Sequence, residues 1–168
     1  MIIELAQSKD KPKIAKLDCH IPPSHLGECI YNDQVYVLKD DSIKNGGQNH
    51  RLKDPVVGVL RYSLFWQTIP FLDLLYLDAA YRHQGFGTQM MNRWEETMKK
   101  RGYKYVMTST QADESAWQFY EKLGYHKIGS FLPPEQTADA WMYLKRLVIW
   151  IRYRSECKKL RIQTDAQY

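Results

Sequence analysis

Residues 71–101 read FLDLLYLDAAYRHQGFGTQMMNRWEETMKKR, and the rest of the chain is legible outward from them. Phe71 to Leu77 is apolar enough for a buried strand. A short turn follows, then Arg82-His83-Gln84-Gly85-Phe86-Gly87-Thr88, then a long amphipathic stretch. A strand that feeds a glycine-containing turn at a helix start prepares a site for an anion. The first helical N–H groups have no partner within the helix, and its dipole adds positive potential there. Gly85 and Gly87 carry no Cβ, so a phosphate can come close to the backbone. Arg82 adds a permanent, forked positive charge.

Phe86, Met90, Trp94 and Met98 recur every four residues with Met91 beside them, which predicts one apolar helix face turned to the core. Glu95–Lys99 and Glu96–Lys100 are i,i+4 pairs on the other face, and Gly102 stands where a C-terminal glycine ends a helix. Before this unit the chain predicts a strand at Ile2–Leu5, short helices at Lys11–Leu17 and Ser24–Ile30, and strands at Val35–Leu38 and Val56–Phe65. The polar stretch Asp40–Asp54 reads as an exposed turn and Trp66–Pro70 as the turn into the central strand. After it come a strand at Tyr105–Thr110, a helix at Asp113–Leu123 stopped by Gly124, and strands at Tyr125–Phe131 and Ala140–Lys145. This order predicts an α/β fold with a mixed sheet.

At 168 residues the chain predicts one domain over 1–146, followed by a basic extension over 147–168. Residues 145–161 hold seven Lys and Arg against Glu156 alone, more than the whole net charge of +5, so the body is close to neutral. Such an extension reads first as a solvated face. No helix clusters arginine with base-reading polar residues, so nucleic acid is not an expected partner. Leu147–Ile151 is apolar, and packing on the body or a homodimer contact are its two readings. Nothing is long and apolar enough to span a membrane, and MIIELAQSKDK has no secretory pattern. Cys19, Cys29 and Cys157 have no metal-ligand spacing, and the five histidines form no ligand set, so free thiols in a cytoplasmic, metal-free protein are expected.

Arg82-His83-Gln84-Gly85-Phe86-Gly87 fits an R-x-x-G-x-G pattern, and Ser115 to Tyr125 carries an alanine followed by Phe119-Tyr120-x-x-Leu123-Gly124-Tyr125. Two such motifs in this order, with a strand between them, resemble the GNAT superfamily of N-acetyltransferases over about residues 56–145. The resemblance implies a mostly antiparallel mixed sheet with helices on both faces. It also implies acetyl-CoA as acetyl donor and an amine as acceptor, in a small molecule, a lysine or a peptide N-terminus. The pyrophosphate would lie on the amides of Gln84, Gly85, Phe86, Gly87 and Thr88, near Arg82 and His83. The pantetheine arm would run along Leu75, Tyr76 and Leu77. Two positions depart from the pattern. Asp113 stands where an asparagine often reaches the pantetheine, and His83 stands where glycine is usual.

Transfer from a thioester to an amine needs a neutral amine, a stabilised oxyanion and a protonated leaving thiolate. A thiol titrates near about 8.5 and a tyrosine near about 10, so a phenol can supply that proton. The resemblance assigns this to Tyr120, whose alternative is an anchored core aromatic. Asp73, a carboxylate in an apolar strand, is the candidate base, ammonium anchor or structural group. Tyr31, Tyr36, Tyr62, Phe65 and Trp66, with Asp33 and Glu28, are either an acceptor cleft or core and rim packing.

Overall fold

The computed structural model describes residues 1–41 and 55–147. Most of the predicted 40–54 turn and almost all of the basic extension lie outside these residues. In chain order the elements are β1 (Ile2–Leu5), α1 (Lys11–Leu17), α2 (Pro23–Tyr31), β2 (Val35–Lys39), β3 (Val56–Phe65) and β4 (Ile69–Leu77). They continue with α3 (Phe86–Lys100), β5 (Tyr105–Gln111), α4 (Ala116–Lys122), β6 (His126–Phe131) and β7 (Ala140–Arg146). The strands form one sheet in the order β1-β2-β3-β4-β5-β7-β6. Every neighbouring pair is antiparallel except β4 with β5, which is the mixed, mostly antiparallel sheet expected.

Helices cover both faces. On one, Ile14 of α1 and Leu26 and Ile30 of α2 pack on Val35, Val37, Val56 and Val59, with Leu74 beside them. On the other, Met90, Met91, Trp94 and Met98 of α3 and Tyr120 of α4 pack on Leu38, Leu60, Leu72, Val106 and Tyr143. The four-residue stripe of α3 is therefore core. Met90, Trp94 and Met98 are fully buried, each worth about 1.5–3 kcal/mol relative to exposure. Arg101 caps α3, and Gly102 follows in the left-handed conformation.

Two boundaries differ from the sequence reading by more than one residue. Pro70 lies inside β4 because β4 pairs with β5 only from Phe71 onward, so no β5 carbonyl needs an N–H from Pro70. The helix expected from Asp113 begins only at Ala116. Ala112 still donates to Asp139 O at 2.8 Å, and Glu114 turns back onto Gln111 O at 3.2 Å, so the chain must leave the sheet before it can coil.

The seam between β4 and β5 positions everything that follows. It consists of two rungs, Phe71↔Met107 and Leu72↔Thr108. Just past them β4 bulges. Tyr62 opposes Leu72 and Arg61 opposes Leu74, which leaves Asp73 without a partner. β4 then continues along β3 to Leu77↔Gly58, whereas β5 pairs along its whole length with β7. The strands split, and β4 keeps a free edge from Asp73 to Leu77. The bulge also sends Asp73 and Leu74 to the α1/α2 face, while Leu72 and Leu75 face α3 and α4.

Candidate active site

The split opens over the start of α3. Between β4 and α3, residues Ala79–Tyr81 form one 3-10 turn, pinned where the Tyr81 hydroxyl donates to Asp40 Oδ2 at 2.6 Å. Gln84 Nε2 donates to Ala80 O at 2.6 Å, which closes the loop on itself. Arg82 Nε donates to Leu77 O at 2.8 Å, and its guanidinium lies 5.3 Å over the Tyr76 ring. The arginine is thereby held at the end of the free β4 edge. His83 (φ +59°) and Gly85 (φ +81°) both take the left-handed conformation. A residue with a Cβ costs about 1–2 kcal/mol in that conformation, so glycine would sit more easily than histidine at position 83.

Gly85 caps α3 without a side-chain hydrogen bond, and the first turn holds no acidic residue. Among the described residues, no backbone carbonyl accepts from the amides of His83 to Thr88. Positive potential and open donors converge on a cavity of about 380 Å³ lined by Leu75, Leu77, Arg82, His83, Gly85, Gly87, Thr88 and Phe119. Gly87 faces into it. A Cβ built there would stand 3.5 Å from Phe119 Cζ and 3.7 Å from Leu77 Cδ1, so the missing side chain is part of the cavity. On the wall, a Cβ on Gly58 would collide with Leu77 Cδ2, so glycine there is what seats Leu77.

Seven residues expected from the sequence thus line one space. Others lie outside its lining. Tyr76 supports Arg82 from beneath, Gln84 ties the loop, and Phe86 packs against Tyr81 with ring centroids 6.4 Å apart. Asp113 is exposed in the turn before α4. Phe119 also lines the cavity, and its motif does not single it out, because two adjacent aromatics on one helix do not say which faces a cavity.

Tyr120 is 8% exposed and packs edge-on against Tyr125 and Phe119. Burial pushes its phenol above the ordinary tyrosine value, with the Thr108 hydroxyl pulling down and Glu114 pushing up. Thr108 is the last β5 residue in the seam, and its hydroxyl donates to Leu72 O at 3.2 Å. Tyr120 therefore stands at the apex of the split, on the α3/α4 face.

Asp73 stands at the same apex on the opposite face. Ser63 Oγ donates to its Oδ1 at 2.9 Å, and Arg61 Nη1 donates to its Oδ2 at 3.0 Å. Arg61 Nε in turn donates to Asp18 Oδ2 at 2.6 Å. Side-chain exposure rises outward, from 0% at Asp18 through 11% at Arg61 to 21% at Asp73. Burial raises the Asp73 carboxyl above its ordinary value, while Ser63 and Arg61 pull it down. Of the aromatics proposed for an acceptor cleft, Tyr36 and Tyr62 are core, Tyr31 and Trp66 are exposed, and Phe65 lies 6.1 Å from Phe71.

The family model described as acetyltransferase (GNAT) family matches residues 11–125. No curated protein sequence matches the chain. Among solved structures, Ard1 from Thermoplasma volcanium is similar with a TM-score of 0.71 at 16% identity, over 88% of this chain and 97% of that one. The ribosomal-protein-S18-alanine N-acetyltransferase from Escherichia coli gives 0.66 at 15%, over 87% and 93%. An aminoglycoside 6'-N-acetyltransferase complexed with coenzyme A gives 0.70 at 16%, over 88% and 98%. At such identities the likeness speaks for the fold.

Proposed function

The chain belongs to the GNAT family of acetyltransferases, and from that premise we propose that it moves the acetyl group of acetyl-CoA to a primary amine. The observation that carries this reading is the cavity at the α3 N-terminus, continuous with the free β4 edge. The pyrophosphate would take the open amides from His83 to Thr88, with Arg82 beside it. The pantetheine arm would follow Leu75 to Leu77, where β5 has left hydrogen-bonding groups without a strand. Phe119 and the two leucines give that arm an apolar wall.

Attack is direct, within a ternary complex. The docked ammonium gives one proton to solvent. The neutral amine nitrogen then bonds to the thioester carbon, the C–S bond breaks, and the departing sulfur takes a proton from Tyr120. The proton shed by the nitrogen as the amide forms goes to solvent, from which the Tyr120 phenolate is reprotonated. A phenol raised by burial is protonated at neutral pH, which suits it to give that proton. Both Asp73 oxygens already accept hydrogen bonds from Arg61 and Ser63. With both oxygens so engaged, its part here is to seat the incoming ammonium.

Calorimetry with acetyl-CoA on the wild type and on Gly87→Val is the test, alongside thiol release in the presence of a panel of amines. Wild type should bind. Gly87→Val should stay folded, because the added atoms enter the cavity, and should lose binding. Equal affinity in the two proteins would remove the phosphates from this loop.

A further inference from the structure

We infer that the acceptor is a cationic primary amine with no carboxylate beside it, docked ammonium-first on Asp73 with its apolar part against Phe65 and Phe71. The inference rests on the acetyl-transfer reading and adds the chemical class of the acceptor. Asp18, Arg61 and Asp73 put two carboxylates against one guanidinium, and the more exposed carboxylate is the one at the split. The apex therefore presents net negative charge to whatever enters from the α1/α2 face. Arg61 is committed inward. Its Nε is held by the buried Asp18, and Nη1 by Asp73, so the guanidinium is not presented as a fork to a substrate. A free amino acid would bring its own carboxylate within a few ångströms of Asp73 and meet repulsion there. An amide, a peptide bond or a hydrocarbon in that place would not.

The flank is apolar. The bulge puts Phe71 and Asp73 on one face, and Phe65 shares it at 6.1 Å between ring centroids. Trp66, 79% exposed, stacks on Phe65 at 4.8 Å and extends the ledge outward. An ammonium beside an apolar or aromatic group meets a matching pair of surfaces. The amino end of a peptide and an arylalkylamine share this chemistry.

The test compares kcat/KM for phenylalaninamide, phenethylamine and a tetrapeptide beginning with phenylalanine against free phenylalanine, by thiol release from acetyl-CoA. The amide should exceed the free acid by tenfold or more. Preference for the tetrapeptide or for phenethylamine would sort the two sources. In Asp73→Asn, which keeps the shape but removes the charge, the amide-to-acid ratio should collapse toward one, with acetyl-CoA affinity unchanged. Phenylalanine acetylated as well as its amide by wild type would overturn the inference and leave acetyl transfer standing. Acetyl-CoA binding with no amine acetylated would instead sink the transfer reading and this inference with it. The wild-type ratio decides the matter even where Asp73→Asn fails to fold.

Discussion

Tyr120 carries the sharpest chemical consequence. In Tyr120→Phe the ring still fills its place beside Tyr125 and Phe119, and only the hydroxyl is lost. We expect kcat to fall by roughly 10²-fold, the lower end for a lost general acid, with acetyl-CoA affinity nearly intact. kcat and kcat/KM should drop together where the chemical step limits the rate. Because burial raises the phenol, its own ionisation should not cut the rate below about pH 10. The acidic limb of the rate–pH profile then belongs to the amine. It should sit near about 8 for a peptide α-amino group and above about 10 for a lysine-like one. Wild-type turnover in Tyr120→Phe would return the residue to core packing.

At the scale of elements, the β4–loop–α3 unit was legible because its signals are local. An apolar run, two glycines and a four-residue stripe lie within about thirty residues. The acceptor side was not legible. Asp18 and Arg61 are 43 residues apart and meet only because α1 ends over β3. Asp73 joins them because β4 bulges there, and no glycine or proline at or beside Asp73 announces the bulge. Gly58 is a similar case, an unremarked strand glycine that proves to seat a cavity wall. Gly58→Ala should force Leu77 out of its place. Overpacking of this kind costs about 1–3 kcal/mol, and the displaced leucine should weaken acetyl-CoA binding as well. Chemical denaturation with calorimetry checks both, and unchanged affinity would show that the wall repacks without entering the cavity.

For the molecule as a whole, stability against pH depends on Lys39, which is 4% exposed and ties β2 to the N-terminal segment. It bonds Asp10 Oδ1 at 2.8 Å and Glu4 Oε1 at 2.8 Å. Burial alone would lower its amine, but the hydrogen bonds to Asp10 and Glu4 outweigh that and raise it. A lysine raised on folding contributes fully below its unfolded value of about 10.4, and the contribution disappears as pH climbs through the higher folded one. The melting temperature should therefore carry a Lys39-dependent decline in strongly alkaline buffer. Lys39→Met, which leaves Asp10 buried without its cation, should cost about 3–5 kcal/mol at neutral pH. It should also flatten that alkaline decline, and an unchanged slope would remove Lys39 from the account.

The two-rung seam has a consequence for how the protein opens. β1–β4 and β5–β7 are each continuous ladders, and among the described residues only Phe71↔Met107 and Leu72↔Thr108 join them strand to strand. Such halves are natural units of partial unfolding, each with its own opening free energy. Native-state hydrogen exchange should resolve them, with the amides flanking the seam exchanging before the interior of either ladder. A ligand lying in the split meets Leu75 and Leu77 of β4 and Phe119 of α4, so it should slow exchange in β5, on which α4 packs, as well as in β4.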